Sequence, residues 1–507
     1  MALDPRTPVI VGVGQSVRRP AAGAAPSVEE VAARPEPVDM MVEVLRVAQA
    51  DSGARCDLLS RAQSVRVVSL LSWAYVDPGA LIAERVGATP AETVLSATGG
   101  NSPPSLVNDA ARSIAAGELD VVLLAGAEAV HTRMLARRSG AELAWTAQDP
   151  GTPPPRTLGT ERAGHGPDEA AVGLMLPVQF YPLFENALRR AAGEGIEEHQ
   201  AKIAGLWSRF SAVAALNPYA WSPEARSAED IATVRPDNRM IGFPYTKYMN
   251  ANIQTDQAAA LILCSAEAAE AAGVPRDRWV FPRSGAEAAD HWLVSERDNL
   301  HSSPAIRLAA ARAFELDGSS AGDVAHVDLY SCFPSAVQMG AQAIGLGLDE
   351  PDRPLTVTGG LSFAGGPGNN YVTHSIAAMC GRLRSDPGAL GLVTALGWYA
   401  TKHAVGLYST EPARGGFRAE SVQAAVDALP GRSLAGAADG PGVVETYTVM
   451  HERDGTPSLG ILACLLPDGR RTWANLSEPD ELAALTSSEG CGRRVNLLGS
   501  NKAVLAG

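Results

Sequence analysis

Two histidines lie in stretches where the chain could place an acid or a base. His374 follows the glycine-rich stretch GGPGNN closely, and His403 lies in GWYATKHAV. Histidine is the side chain that most readily exchanges a proton near neutral pH, so each is a candidate for acid–base chemistry. The alternative for each is a structural histidine, hydrogen-bonded near the start of a helix.

Ser102 and the six cysteines are the candidate nucleophiles. Ser102 follows the turn TGGN and precedes Pro103, which is the pattern of a helix N-cap residue with proline at the first helical position. We therefore interpret Ser102 as a cap rather than as a nucleophile. The cysteines lack the CxxC spacing of zinc or redox sites, and we expect reduced thiols.

No other motif of catalysis or cofactor binding occurs in the sequence. It contains no P-loop, no GxGxxG dinucleotide fingerprint, no HExxH zinc motif and no EF-hand loop. Nucleotide hydrolysis, NAD chemistry and metal catalysis thus have no support in the sequence. We expect neither a metal site nor a bound cofactor.

The composition narrows the class of ligand. The 507 residues are 46% hydrophobic and 19% charged, enough for a large core, and their net charge is -14. An acidic chain without runs of lysine or arginine repels nucleic acid and anionic membranes, so a small molecule is the expected ligand. The N-terminus lacks a signal-peptide pattern, and every apolar run is far shorter than the ~20 residues of a membrane helix. We expect a cytoplasmic protein without a membrane span.

The elements around the TGGN turn form a strand–helix–strand unit. Residues 93–97 are predicted to be a strand, 102–117 an amphipathic helix and 120–126 a buried strand. Such short connections are typical of α/β sheets with parallel strands. Residues 131–250 form a long excursion of loops and helices, which we interpret as a cap that faces the substrate.

The same alternation returns in the second half of the chain. A strand at 323–330, a helix at 334–346 and a strand at 391–396 indicate an internal duplication. Asp-Gly turns between apolar runs, which are hairpin signals, mark the C-terminal part instead. Its predicted strands lie at 443–450, 460–466 and 471–476. This part should be a small antiparallel sheet or barrel.

Four segments, in this order along the chain, resemble motifs of the thiolase superfamily. TGGNSPPSLVNDAARSIAAGELDVVLLAGAEA resembles the segment of the nucleophilic cysteine, with Gly100 at the position of that cysteine. DLYSCFPSAVQ resembles the NEAF or HDCF segment. TVTGGLSFAGGPGNN resembles the GHP segment, with Gly366 at the position of the base histidine. LVTALGWYA resembles the final CxG segment, with Ala395 at the second cysteine and Gly397 at the glycine.

The resemblance implies a fold and a division of the chain. It implies an α/β protein with a duplicated, five-layered αβαβα thiolase fold, whose halves are residues 1–275 and 276–411. Residues 412–507 correspond to the added C-terminal antiparallel β-barrel of the type 1 thiolase-like proteins, relatives of the sterol-carrier-protein-type thiolases. The chain resembles that group most, because the group also lacks the thiolase catalytic residues. Thiolases form dimers, whereas the type 1 proteins imply a monomer; we expect a monomer or a homodimer.

The missing side chains limit the chemistry that the resemblance implies. Thiolases use one cysteine to take the acyl group, a histidine to activate it and a second cysteine to move a proton. Gly100, Gly366 and Ala395 supply none of these functions, so we expect a degenerate site without thiolysis or Claisen condensation. The backbone N–H groups of Gly100 and Gly397 correspond to the family's oxyanion hole and can still stabilise a thioester oxygen. The expected ligand is therefore CoA or an acyl-CoA.

Further site residues follow from their positions in these segments. Tyr330 and Tyr371 are candidate acids, as tyrosines are in thiolase-related steroid-chain aldolases, and Asn369 could donate a hydrogen bond to the thioester. Family members meet the CoA phosphates near the end of the excursion. The basic residues of this chain there are Arg235, Arg239 and Lys247. The structural alternatives are buried aromatic rings, a turn asparagine and ordinary surface charges.

Three functions remain open at this stage. The first is binding of CoA or an acyl-CoA in fatty-acid or sterol metabolism, without the turnover of an acyltransferase. The second is an acyl-CoA enzyme of different chemistry, such as a retro-aldolase that uses tyrosine or histidine with a backbone oxyanion hole. The third is a scaffold that docks a partner protein through its C-terminal domain.

Overall fold

A computed structural model describes residues 3–20, 23 and 25–506 of the protein, which form three sheets and the helices packed on them. The strands are β1 (Pro8–Val17), β2 (Ser64–Val67), β3 (Glu92–Ser96), β4 (Val121–Ala129), β5 (Arg156–Leu158), β6 (Met240–Gly242), β7 (Tyr245–Thr246), β8 (Asp256–Ser265), β9 (Phe281–Ala289), β10 (Val324–Asp328), β11 (Leu390–Gly397), β12 (Lys402–Ser409), β13 (Arg418–Ser421), β14 (Asp439–His451), β15 (Pro457–Leu465), β16 (Arg471–Leu476), β17 (Arg494–Leu498) and β18 (Ala503–Leu505). The α-helices are α1 (Val28–Ala32), α2 (Pro37–Ser52), α3 (Pro78–Val86), α4 (Ser102–Ala115), α5 (Val130–Ser139), α6 (Pro167–Ala171), α7 (Pro177–Ala192), α8 (Ile196–Leu216), α9 (Ala228–Ala232), α10 (Ala266–Ala271), α11 (Pro304–Asp317), α12 (Pro334–Ile344), α13 (Gly360–Phe363), α14 (Tyr371–Ser385), α15 (Gln423–Asp427) and α16 (Pro479–Ser487). Within those residues, no helix is long and apolar enough to cross a membrane.

The first two sheets repeat one pairing pattern. The first has the order β1-β8-β4-β2-β3-β5 and the second the order β10-β11-β12-β9-β13. From β1 the first sheet runs antiparallel to β8, antiparallel to β4 and then parallel to β2. From β9 the second runs antiparallel to β12, antiparallel to β11 and then parallel to β10. This repeat confirms the duplication that the sequence predicts.

Two buried helices, α4 and α14, lie between these sheets and position the candidate site. α4 packs against β1 and β8 of the first sheet and β9 and β12 of the second, while α14 packs against β1, β8, β10 and β11. Central strands such as β4 and β11 are buried along their whole length, as continuous apolar strands between two layers of helices must be. Each buried helix begins directly after a glycine-rich stretch. The two stretches therefore meet between the sheets.

Strand β5, from the excursion, covers the outer edge of the first sheet. It pairs in parallel with β3, with Val94 opposite Arg156. The Arg156 side chain bonds Asp109 at 2.7 Å and Glu92 at 3.1 Å, which fixes β5 to α4 and β3. An uncovered edge strand offers its backbone to a second chain, and β5 removes that opportunity at β3.

The C-terminal sheet is antiparallel and has the order β16-β15-β14-β17-β18. The two predicted Asp-Gly turns separate β14 from β15 and β15 from β16, with Gly455 and Gly469 in the left-handed region at φ +94° and +84°. Strand β13 still belongs to the second sheet, so this third sheet begins at Asp439. Strand β6 of the excursion extends it by pairing with β14 at Met450.

A buried arginine of the third sheet fixes that sheet to the second half. Arg471 is fully buried and holds both carboxyl oxygens of Glu445, each at 2.7 Å. Its Nη1 group donates to the carbonyl oxygens of Ser295 and Arg297 at 2.8 and 2.6 Å. Because these bonds have fixed directions, they hold the third sheet in one orientation relative to the segment that contains Ser295 and Arg297.

Candidate functional site

The turn between β3 and α4 is held by contacts from three directions. Thr98 N–H donates to Glu161 Oε2 at 2.8 Å, and Gly99 N–H donates to Asn369 Oδ1 at 3.0 Å. The Ser102 hydroxyl donates to Ala97 O at 2.9 Å. Among the described contacts, the N–H of Gly100 has no acceptor. The N–H of Asn101 has no acceptor there either, so the turn presents two free backbone donors between the sheets.

Ser102 is not the cap of α4, which corrects the prediction from its spacing. The N-cap residue is Asn101 and Ser102 is the first helical residue. A capping side chain accepts from the second or third helical N–H, and those positions are Pro103 and Pro104, which have none. Ser102 binds Ala97 O instead, which closes the turn.

Tyr330 fills the space in which a side chain of Gly100 would lie. A Cβ added to Gly100 would overlap Tyr330 Oη and would lie 2.8 Å from Tyr330 Cζ and 2.6 Å from Leu396 O. These separations are shorter than any side-chain carbon tolerates. Tyr330 is 8% exposed, and its hydroxyl has no hydrogen-bond partner within the described part of the chain. Burial raises the pKa of Tyr330 well above its ordinary value, so the phenol stays protonated.

Tyr371 lies beside Tyr330, but its hydroxyl is already bound. The two rings pack edge to face with centroids 5.6 Å apart. Tyr371 Oη lies 2.6 Å from Thr358 Oγ1 and donates to Asp328 Oδ1 at 3.3 Å. Asp328 is fully buried, also accepts from Ser375 at 2.8 Å, and has its pKa raised by burial. Of the two predicted tyrosines, only Tyr330 has a free hydroxyl.

The loop before α14 leaves space at Gly366. Gly366 N–H donates to Asn252 O at 2.8 Å. A Cβ added there would lie 3.3 Å from Asn252 O and 3.4 Å from Leu361 Cδ2, contacts that small shifts relieve. Asn369 is fully engaged, because its amide nitrogen donates to both the carbonyl and the hydroxyl oxygen of Ser69 while its oxygen accepts from Gly99.

The two candidate histidines lie on different elements, His374 on α14 and His403 on β12. His374 Nδ1 bonds Gln15 Oε1 at 2.9 Å, its Nε2 has no described partner, and burial lowers its pKa to about 3. His403 Nε2 lies 3.1 Å from both Ser303 Oγ and Ala400 O, and burial lowers its pKa as well. His403, unlike His374, lines a small cavity of about 10 Å³ with Tyr330 and Ala395. Both imidazoles are neutral at ordinary pH.

The turn that carries Gly100 packs against the end of β11 that carries Gly397. Gly99 Cα is 3.1 Å from a Cβ added to Gly397, and Leu396 O is the carbonyl that Gly100 approaches.

The basic residues predicted to meet phosphates form a separate patch. Arg235 pairs with Asp230 at 3.0 Å, Arg239 donates to Met240 O and Glu452 O, and Lys247 is exposed. None of the described contacts links this patch to the turn.

Lys402 is a site residue that the motif comparison missed. It is 7% exposed, its Nζ donates to Thr98 O, and its stem packs against Gly99, where an added Cβ would lie 2.7 Å from Lys402 Cε. Burial lowers the pKa of this lysine. The sequence does distinguish this residue, since the chain has only four lysines and this one lies five residues after the glycine of the CxG-like segment.

No group of three or more potential metal ligands occurs among the described side chains.

Comparisons with known proteins agree with this architecture. The family model of the thiolase-like protein type 1 additional C-terminal domain matches residues 421–500. No curated protein matches the sequence. Among solved structures, the chain is similar to a monomeric SCP2-thiolase like protein type 1 from Mycobacterium smegmatis, with 35% identity over 99% of this chain and 100% of that chain and a TM-score of 0.83.

Two more distant structures share the fold. An Ltp2-ChsH2(DUF35) aldolase is 17% identical over 80% of this chain and 99% of that chain, with a TM-score of 0.58. An acetyl-CoA acetyltransferase from Syntrophomonas wolfei is 14% identical with the same coverage and the same TM-score. At these identities the likeness concerns the fold alone.

Proposed function

Since the chain belongs to the family of SCP2-thiolase like proteins type 1, we propose that it binds an acyl-CoA thioester without the cysteine-dependent turnover of thiolases. The expected ligands are the acyl-CoA esters of fatty-acid or sterol metabolism. The observation that carries the proposal is the position of Tyr330 Oη, which occupies the space of a side chain at Gly100. Acyl transfer in this superfamily needs a thiolate there, and the phenol leaves no room for one.

The polar groups that remain suit a thioester carbonyl. The N–H of Gly100 has no acceptor among the described residues, and the Tyr330 hydroxyl is a second free donor beside Gly100. Donors held in place by the fold stabilise an oxygen that carries negative charge. The positive end of the α4 dipole adds to the same spot. Binding and polarising a thioester therefore require no side chain at position 100.

Exposed apolar residues flank the glycine-rich loop before α14. Leu71 is 58% exposed and follows β2, and its N–H bonds Glu128, the residue against which Gly368 packs. Ile253 is 60% exposed and adjoins Asn252, which binds Gly366. Isolated exposed apolar residues are common, but two beside the same loop suit the acyl chain of a ligand.

The test is calorimetric titration of the full chain with CoA, acetyl-CoA and a long-chain acyl-CoA, followed by product analysis of each mixture. Binding of acyl-CoA without new products is the expected result. Thiolysis of a 3-ketoacyl-CoA in the presence of CoA, or no binding of any acyl-CoA, would overturn the proposal. The second of these results would leave docking of a partner protein as the remaining hypothesis.

A matched pair of tyrosine variants locates the thioester. Tyr330→Phe removes a free hydroxyl at the site, so acyl-CoA binding should weaken about fivefold to tenfold, while binding of CoA without the acyl group should not change. Tyr408→Phe is the control, because Tyr408 Oη is also buried without a described partner but lies on β12, whereas Tyr330 follows β10. Equal weakening in both variants would exclude a direct contact with Tyr330.

Retro-aldol cleavage of a β-hydroxyacyl-CoA is a second candidate, favoured by the proximity of Tyr330 and His403, which line the same small cavity. The neutral imidazole of His403 would take the proton of the β-hydroxyl group as the bond between the α and β carbons breaks. The electron pair would enter the thioester enolate at the Gly100 N–H, and the protonated Tyr330 would return a proton to the α-carbon.

Product analysis with a β-hydroxyacyl-CoA tests this second candidate. Formation of the shortened acyl-CoA together with an aldehyde or ketone is expected, and Tyr330→Phe should lower the rate by about 100-fold or more, with Tyr408→Phe unchanged. Turnover that survives substitution of Tyr330, Tyr371, His374 and His403 in turn would exclude it.

A further inference from the structure

A second cavity lies on the other side of the β3–α4 turn. It measures about 290 Å³ and opens beside the exposed residues Gly159, Thr160 and Ser421. Side chains of several polarities line it, among them those of Asn101, Ser102, Ser105, Glu287, Trp292 and Lys402. Small-molecule pockets usually measure ~300–1,000 Å³, so this cavity suits a small ligand.

The Gly99–Gly100 turn separates this cavity from Tyr330. A Cβ on Gly100 would meet Tyr330, whereas a Cβ on Gly99 would meet Lys402. Both glycines thus leave their space to another side chain, one on each face of the turn. Tyr330 does not line this cavity, whereas His403 lines both this cavity and the small one at Tyr330. A ligand in the cavity would therefore meet Lys402 and not Tyr330.

Lys402 is the one buried lysine among the four of this chain. Lys202, Lys247 and Lys502 are exposed. Lys402 Nζ donates to the carbonyl oxygen of Thr98 and lies 3.5 Å from that of Thr160. No carboxyl group in the described part of the chain lies within 4 Å of it, so its charge has no direct counter-ion.

Among the described residues, the fully buried side chains that pair as cations with carboxylates are three arginines and His199, which lies 2.5 Å from Glu185. Three buried arginines each bind a carboxylate: Arg66 binds Asp109, Arg189 binds Glu489 and Arg471 binds Glu445. Lysine differs chemically, because an ammonium group can lose its proton and become a nucleophile while a guanidinium group does not. A buried lysine without a carboxylate, in a chain that otherwise buries arginine, indicates a need for the amine.

The surroundings of Lys402 suit an uncharged organic ligand. The ring of Trp292 has its centroid 5.9 Å from Nζ, and Ala97, Leu158 and Ala288 add further apolar wall. The burial that these groups provide lowers the pKa of Lys402. Glu287 lines the same cavity and accepts a hydrogen bond from Ser105 at 2.6 Å, so a proton donor and acceptor are present.

We propose that Lys402 is a nucleophilic amine that forms an imine with a small aldehyde or ketone entering this cavity. The Nζ lone pair forms a bond to the carbonyl carbon, and the carbonyl oxygen takes a proton to give a carbinolamine. Loss of that oxygen as water then leaves the imine, and hydrolysis restores the amine. Glu287 and the Ser105 hydroxyl exchange the protons, and no oxidant or reductant takes part.

Reductive trapping of the full chain tests the proposal. The protein is treated near neutral pH with propanal or with acetone in the presence of cyanoborohydride, and the modified lysines are located by peptide mass analysis. We expect Lys402 to be modified faster than each exposed lysine, since burial lowers its pKa and so increases the fraction of free amine near neutral pH. Lys202, Lys247 and Lys502 are internal controls in the same molecule.

Two variants keep the result interpretable. Lys402→Arg retains a cation and its hydrogen bonds but forms no imine, and Lys402→Met removes the charge. Slower modification of Lys402 than of the exposed lysines would overturn the proposal. So would binding of acetate or inorganic phosphate that Lys402→Met loses and Lys402→Arg keeps, without any trapped imine, because that pattern defines an anion site.

Discussion

Gly100 and Gly366 stand where a thiolase has its nucleophile and its base, but the structure around them differs. Neither glycine has a positive φ angle, so the backbone itself would accept another residue at both. At Gly100 a Cβ would overlap Tyr330 Oη and approach Leu396 O to 2.6 Å. At Gly366 the nearest atom, Asn252 O, lies 3.3 Å from the added Cβ. Both positions lack the catalytic side chain, but only the space at Gly100 is filled by another residue, Tyr330.

The difference indicates which lost function the fold could recover. At Gly100 the packing involves a backbone carbonyl group of β11, which moves only with its sheet. At Gly366 the neighbours are a loop carbonyl group and the flexible end of Leu361. A nucleophile at position 100 therefore requires rebuilding of the core, whereas a small side chain at position 366 requires only local movement.

The largest expected effect is on stability. Gly100→Ala should lower the free energy of unfolding by about 3 kcal/mol or more, because overpacking against Leu396 O and Tyr330 forces the buried turn to move. Gly366→Ala, the matched control, should change it by less than about 1 kcal/mol. Denaturant unfolding of both variants measures the difference. Equal costs would show that the packing at Gly100 is no tighter than that at Gly366.

A smaller effect identifies the group that occupies the space at Gly100. Tyr330→Phe removes the overlapping oxygen but leaves Cζ and Leu396 O in place, so it should recover part of the loss caused by Gly100→Ala. The coupling free energy of a double-mutant cycle should be on the order of 1.5 kcal/mol, since the two residues are in direct contact. Additive effects in the cycle would mean that Leu396 O alone excludes the side chain.

Local signals in the sequence predict the outer parts of this molecule well. The Asp-Gly turns at Gly455 and Gly469 and the strand at 471–476 depend on neighbouring residues only, and the structure has both turns and β16 over the same residues. The repeated strand pattern also follows from local alternation. The motif comparison adds the positions of the missing side chains, because each motif is itself a short local pattern.

The contents of the site depend on contacts between distant parts of the chain. The sequence shows that Gly100 lacks a side chain. It does not show that Tyr330, which lies in the loop between β10 and α12, fills the space. Spacing along the chain does not determine the direction of a side chain across two sheets. The error at Ser102 has a local cause, since two successive prolines remove the N–H groups on which capping depends. Lys402 carried no motif, and only the rarity of lysine in the chain distinguishes it.

The smallest effect concerns His374, which lies on α14 shortly after the loop that contains Gly366. Burial lowers the pKa of His374 to about 3, below the ~6.5 of an unfolded chain, so the folded state binds this proton less tightly. Its contribution to stability is complete above about pH 6.5 and is lost as the pH falls from there toward 3. His374→Gln should therefore remove about 1 kcal/mol of the stability loss between about pH 7 and about pH 5.5.

Unfolding curves of the wild type and the variant at the two pH values measure this change. His403→Gln is the companion variant, because burial lowers the pKa of His403 too, and the two effects should add if the histidines titrate independently. An unchanged pH dependence in His374→Gln would mean that water or a neighbouring group reaches Nε2, which has no described partner. The region around Gly366 would then contain an imidazole that can exchange a proton. The site would combine a filled nucleophile position at Gly100 with an accessible histidine next to the position of the base.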